Sequence, residues 1–174
     1  LLSREEALSL EPKLHPHLLS AVEVPDGSVD SFSIVVENAR DAERHGTRFL
    51  LHTKVTSLQV DQGKVRQVAA KDLLQGEEYS IEANYFINAT GAWANQILNL
   101  AGFRLDMALS KGSMIITNQR ITQRVINRCR RPSDGDILVP NGLVSILGTT
   151  SIRLYDVENF EVTSSEVSLL IKEI

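Results

Sequence analysis

The stretch that decides the fold runs Tyr85-Phe86-Ile87-Asn88-Ala89-Thr90-Gly91-Ala92-Trp93. Its first half is continuously apolar, as in a strand covered on both faces. Its second half turns on small residues, and a helix follows from about Ala92 to Leu100, closed by Gly102. Strand, glycine and helix in that order form the βα half of a nucleotide-type fold, in which ligands sit beyond the carboxyl end of the strand. Small residues there let a backbone approach a flat or phosphorylated ligand closely. The same residues also serve a plain βα turn in which Gly91 supplies a positive φ, and spacing alone leaves both readings open.

Upstream of this stretch the pattern is different. Residues 3–11 predict a short helix, with Ser3 and Glu6 at capping-box spacing and Pro12 closing it. Leu18 to Val24 alternates like a strand, and Pro25-Asp26-Gly27 is a turn. Asp30 is placed to cap a helix of about 15 residues, in which Phe32, Val35, Val36, Ala39 and Ala42 share one face and Gly46 follows the end. Phe49 to His52 reads as a short strand. Val55, Leu58 and Val60, a turn at Gln62-Gly63-Lys64, then Val65, Val68 and Ala70, a turn at Gln75-Gly76-Glu77, and Tyr79 with Ile81 predict an antiparallel meander.

Downstream, Met114 to Ile116 and Arg124 to Ile126 predict two strands. Ile137 to Pro140 and Leu143 to Leu147 predict a hairpin with Asn141-Gly142 at its turn. Thr163 and Glu166 repeat the capping-box spacing ahead of an amphipathic helix that reaches the last residue without a cap. Together with a first residue other than Met, this predicts an internal fragment of a longer protein. The fold class is therefore α/β with an α+β character: a mixed, largely antiparallel sheet plus one βα piece.

Composition sets outer limits. The chain has 174 residues, 43% hydrophobic and 23% charged, with a formal net charge of −4. A phosphate-binding domain is normally basic, so no nucleic-acid partner is expected. The single cysteine, Cys129, excludes an internal disulfide or a thiolate metal cluster built by this chain alone. His15-Pro16-His17 lacks a carboxylate or thiol partner in the pattern, so no metal site is expected. No apolar run approaches the roughly 20 residues of a membrane span. The expectation is a cytoplasmic chain.

Three further groups can carry chemistry. Lys111-Gly112-Ser113 offers a cation, a flexible backbone and a hydroxyl, suited to an anionic group or equally to a solvated bend. Gly148-Thr149-Thr150-Ser151 is a hydroxyl-rich strand exit, suited to a ligand or to side chains bonding the local backbone. Arg120, Arg124, Arg128, Arg130 and Arg131 form a basic run that reads first as a solvated face and second as a phosphate site.

In their order along the chain these pieces resemble the FAD-dependent oxidoreductases of the D-amino-acid-oxidase superfamily. The resemblance is carried by Val29-Asp30, His45-Gly46, Val55, Asn88 to Trp93, Lys111-Gly112-Ser113 and Gly148-Thr149-Thr150. Within that superfamily the chain is similar to the flavin-dependent glycerol-3-phosphate dehydrogenases. Val125 to Asp134 followed by Asp136 to Pro140 resembles the catalytic large subunit of their anaerobic type. The resemblance implies that Val55, Ala89, Thr90, Gly91 and Trp93 line the cofactor FAD, within a cofactor-lining section at about 47–102. It implies that Lys111, Gly112, Ser113, Thr149 and Thr150 lie on the substrate side, within a substrate-domain sheet at about 103–163. Aerobic relatives have a histidine where this sequence has Met114, a departure that fits the anaerobic type.

The implied reaction oxidises sn-glycerol 3-phosphate to dihydroxyacetone phosphate, with electrons passing to a quinone through other subunits. The whole complex is then only peripheral to the inner membrane. The family's pyrophosphate loop has no counterpart here, so the chain alone is expected to be inactive and to bind FAD weakly or not at all. The resemblance names no catalytic base in this sequence. The competing readings are an amino-acid or 2-hydroxyacid oxidoreductase of the same superfamily, and a stand-alone α/β binding module.

Overall fold

The computed structural model describes residues 1–129, 131 and 134–173. In chain order the elements are β1 (Leu2–Ser3), α1 (Arg4–Leu10), β2 (Ser20–Ala21), α2 (Ser31–Arg44), β3 (Thr53–Asp61), β4 (Lys64–Asp72) and β5 (Glu78–Glu82). A 3-10 turn (Gly91–Trp93) leads into α3 (Ala94–Asn99). There follow β6 (Ser110–Lys111), β7 (Ile115–Ile116), β8 (Ile126–Asn127), β9 (Ile137–Asn141), β10 (Val144–Gly148), β11 (Ile152–Arg153) and α4 (Ser164–Glu173). The chain folds as two compact units: Leu1–Ser31 with Ser110–Ile174, and Phe32–Leu109. The mixed α/β class with antiparallel sheets is as expected.

The discontinuous unit is built on a sheet in the order β7-β10-β9-β8, all antiparallel. Its hairpin is closed by Gly142-Leu143, because Val144 pairs with Asn141. The expected Asn141-Gly142 turn is thus displaced by one residue. Gly142 takes the first loop position at φ +55, where a side chain would be strained. Leu147 of β10 and Leu170 of α4 are buried. Glu11, also buried, ends α1 and accepts the backbone N–H groups of Gln123 at 2.8 Å and Arg124 at 2.5 Å. Ser3 and Glu6 form the expected capping box. The strand expected over Leu18–Val24 is only Ser20–Ala21, because its partner, Leu2–Ser3, is all the extended chain that precedes α1. The strand expected at Arg124–Ile126 shifts to Ile126–Asn127.

The continuous unit is the expected meander, in the order β3-β4-β5. Gln62 and Gly63 both have positive φ (+47 and +75), the geometry that closes a two-residue hairpin between right-twisted strands. Val55 pairs with Ala70 and Leu58 with Val68, while Tyr79 and Ile81 pair with the same two β4 residues from the other side. One face of the sheet is therefore apolar, with Val68 and Ala70 buried at its centre. α2 ends as the sequence predicts: Gly46 sits at φ +89, its N–H donates to the Glu43 carbonyl at 2.9 Å, and the Thr47 N–H donates to the Ala42 carbonyl at 3.0 Å. Phe32, Val35 and Val36 of its apolar stripe are nonetheless exposed.

Two expected strands are absent among the described residues. At 49–52 the chain instead turns through Leu51 and His52, the latter at φ +54, before entering β3. At 85–89 the backbone forms no ladder, because the sheet of this unit stops at β5. Tyr85 and Ile87 are each 89% exposed. The helical half of the βα unit does form, shortened to α3 behind its 3-10 turn. Gly102 closes it at φ +74, and the Phe103 N–H reaches back to the Leu98 carbonyl at 3.0 Å.

Candidate functional site

The residues that the resemblance gives to the cofactor lie in one unit and those that it gives to the substrate side lie in the other.

In the continuous unit, Val55 lies on the apolar face of the meander opposite Ala70. Ala89, Thr90, Gly91 and Trp93 follow one another at the exposed turn into α3. Asn88 organises that turn. Its Oδ1 accepts from the Thr90 hydroxyl at 2.7 Å and the Thr90 N–H at 3.3 Å, and its Nδ2 donates to the Ala94 carbonyl at 3.0 Å. An asparagine side chain that binds its own backbone two residues on fixes a turn without help from neighbours. Gly91 is at φ +57 with open space where a Cβ would stand. The backbone here is thus both fixed and uncovered. Asn95 of α3 holds Leu105 in a reciprocal pair, donating to its carbonyl at 2.9 Å and accepting its N–H at 2.8 Å.

In the discontinuous unit, all five residues of the second group meet. β6 brings Lys111 alongside Ile152 of β11, and the Ser113 and Thr150 backbones bond at 3.2 Å. The Ser113 N–H also donates to Thr150 Oγ1 at 2.8 Å. Thr149 Oγ1 donates to the Ser113 carbonyl at 3.3 Å. Gly112 is required at its place: a Cβ would stand 3.0 Å from the Thr150 carbonyl and closer still to the Thr149 side chain.

At the centre of this group lies Glu166, which sequence reading assigned only to a helix cap. It is 3% exposed. Its Oε2 accepts from Lys111 Nζ at 2.7 Å, the Thr163 N–H at 2.9 Å and the Thr163 hydroxyl at 2.8 Å. Its Oε1 accepts from the Ser113 hydroxyl at 2.7 Å and the Thr150 hydroxyl at 3.2 Å. The Lys111 ammonium, then the Ser113 hydroxyl and the Thr163 N–H, hold the Glu166 carboxyl far below the usual carboxylate range. Lys111 also donates to the Glu161 carbonyl. Its side chain is only 13% exposed. The capping-box spacing of Thr163 and Glu166 was the available signal. Spacing cannot show that a cap carboxylate is shared with a loop more than fifty residues earlier.

Among the described residues the basic run does not gather into an anion site. Arg124 pairs with Glu23 at 2.6 Å, Arg128 pairs with Glu173, and Arg120 donates to the carbonyls of Thr122, Gln123 and Gly142. Arg130 lies outside the described residues, as do Pro132 and Ser133 of the stretch that resembles the anaerobic type. Among the described residues no helix is long and apolar enough to cross a membrane.

The whole chain, residues 1–174, matches the FAD dependent oxidoreductase family, and it belongs to that family. It is 41% identical over 171 residues to a subunit of the anaerobic glycerol-3-phosphate dehydrogenase of Escherichia coli (strain K12), covering 97% of this chain and 32% of that protein. It is also 41% identical over 180 residues to a like-named anaerobic glycerol-3-phosphate dehydrogenase subunit of Haloferax volcanii, covering 98% of this chain and 31% of that one. Among solved structures, the glycerol-3-phosphate dehydrogenase from Bacillus halodurans complexed with FAD superposes with a TM-score of 0.83 at 26% identity, covering 99% of this chain and 36% of that one. The chain therefore spans about a third of the length of the relatives it matches.

Proposed function

We propose that the full-length protein oxidises sn-glycerol 3-phosphate to dihydroxyacetone phosphate with FAD as its redox cofactor. The observation that carries this is identity at 41% across 97% of the chain to a protein named for that activity. The match of 99% of the chain to an FAD complex of a like-named enzyme supports it from the side of structure.

An uncovered small-residue turn supports the close approach of a flavin nucleotide. Ala89, Thr90 and Gly91 carry small side chains and are exposed, and open space stands over Gly91. Val55, Ala89, Thr90, Gly91 and Trp93 are the residues we assign to the cofactor. Lys111, Gly112, Ser113, Thr149 and Thr150 are assigned to the substrate side. FAD, when bound, supplies the two-electron acceptor. Oxidation of the alcohol removes a hydride from C2 and the proton of its hydroxyl. The part of this chain is orientation: the Asn88 turn fixes the backbone around Ala89–Gly91, and Glu166 fixes the loops around Gly112 and Thr149.

Electrons then leave to a quinone through further subunits, at the cytoplasmic face of the inner membrane. Met114, standing where aerobic relatives have a histidine, favours the anaerobic type. The test is turnover by the full-length holoenzyme with an artificial acceptor, comparing glycerol 3-phosphate with glycine, sarcosine and 2-hydroxyglutarate. Glycerol 3-phosphate is expected to exceed the others by about a hundredfold or more in kcat/KM. No turnover of glycerol 3-phosphate overturns the proposal, and preference for an amino acid or 2-hydroxyacid transfers it to that chemistry.

A further inference from the structure

We infer that Lys111, Ser113, Thr150 and Glu166 are positioning residues, and that only Gly112, Met114 and Thr149 of this cluster are presented to a ligand. The inference rests on the substrate-side assignment above and deepens it. A lysine, a glycine and a serine in a loop invite the reading that the lysine holds the substrate's phosphate. The geometry assigns its charge elsewhere.

The Lys111 ammonium is spent on Glu166 at 2.7 Å and on the Glu161 carbonyl, with little of the side chain reaching solvent. Two of its three donors are taken, so a phosphate would have to share its charge with a carboxylate that is 3% exposed, and drawing it away would leave a buried charge uncompensated, which is expensive. Ser113 and Thr150 point the same way. Both are buried, and both hydroxyls donate to Glu166 Oε1, at 2.7 and 3.2 Å. One carboxylate thus joins three segments of the chain: the β6–β7 loop, the exit of β10 and the start of α4. Alternation does the rest. Gly112, Met114 and Thr149, the chain neighbours of these buried residues, are exposed. A Cβ on Gly148 would meet Met114 Cγ at 2.9 Å, so Met114 stands against the exit of β10 as well. The node therefore sets where Gly112, Met114 and Thr149 stand, and Thr149 is tied to it directly through the Ser113 carbonyl.

The test uses the full-length holoenzyme and the variants K111M, E166Q, K111M/E166Q and the milder S113A. If the four residues act as one positioning unit, K111M and E166Q each lower kcat about tenfold. Each leaves KM for glycerol 3-phosphate within about threefold, and the double variant is no worse than the poorer single. S113A lowers kcat by about threefold in the same manner. The absorption band of the bound flavin, read without substrate, shifts alike in K111M and E166Q. A rise of about tenfold or more in KM with K111M, while E166Q leaves KM unchanged, overturns the inference and makes Lys111 a phosphate ligand. Variants with a lowered melting temperature but wild-type kcat, KM and flavin band overturn it in favour of a purely structural node. Wild-type enzyme inactive on glycerol 3-phosphate overturns the functional reading instead. The shared flavin shift then decides the positioning role by itself.

Discussion

The two site groups are built in opposite ways. The cluster at Glu166 is internally complete: five donors converge on one buried carboxylate, and every segment it joins lies within one unit. The stretch at 85–93 is locally fixed by Asn88 but carries its apolar residues into solvent, with Ile87 89% exposed and no strand paired with it among the described residues. A buried polar node must satisfy all its members at once, because each unpaired group forfeits its hydration. An apolar run with small residues at its end instead presents surface for something else to cover. The first group therefore holds its shape from within, and the second is fixed only along its own chain and stands uncovered.

The sharpest way to break this contrast is to remove the charge at the node. Glu166 has its folded-state pKa depressed below the ordinary 4.5. Its contribution to stability is therefore fully present above pH 4.5 and is lost as the pH falls below that value. Thermal melts of full-length wild type and E166Q across the acid range should show a gap of a few degrees near neutrality. That gap should close as the pH drops below 4.5. A gap that does not change with pH would mean that the Glu166 charge contributes nothing to the node.

A smaller effect is expected at Gly112, where the limit is space and not charge. Gly112→Ala forces a methyl against the Thr149 side chain and the Thr150 carbonyl at 3.0 Å. The expected loss is about 1–3 kcal/mol, the usual range for overpacking, and chemical denaturation would measure it. Unchanged stability would show that the two loops are not held against each other.

Legibility in the sequence followed the range of the interactions. Both capping boxes, the Gly46 and Gly102 helix ends and the Gln62-Gly63 hairpin were readable, because each is decided within a few residues. The Tyr85–Ala89 pattern is equally clear, yet no strand forms there among the described residues. Continuous apolarity states what a segment would do between two neighbours, but it supplies neither. Leu18–Val24 is cut short by a two-residue partner, and Phe49–His52 is taken into a turn at His52. Lys111, Ser113 and Thr150 were found as candidates. Glu166, which decides their roles, was visible only as a cap, because its other partners lie 16 to 55 residues away in the chain.

Amide hydrogen exchange on the full-length protein, followed with FAD removed and then restored, tests the contrast most directly. Residues 84–93 should exchange rapidly without FAD and become protected when it is restored. The Ser113 and Thr150 amides should remain protected in both states. Rapid exchange at Ser113 and Thr150 without FAD, or no gain of protection across 84–93 with it, would contradict the account.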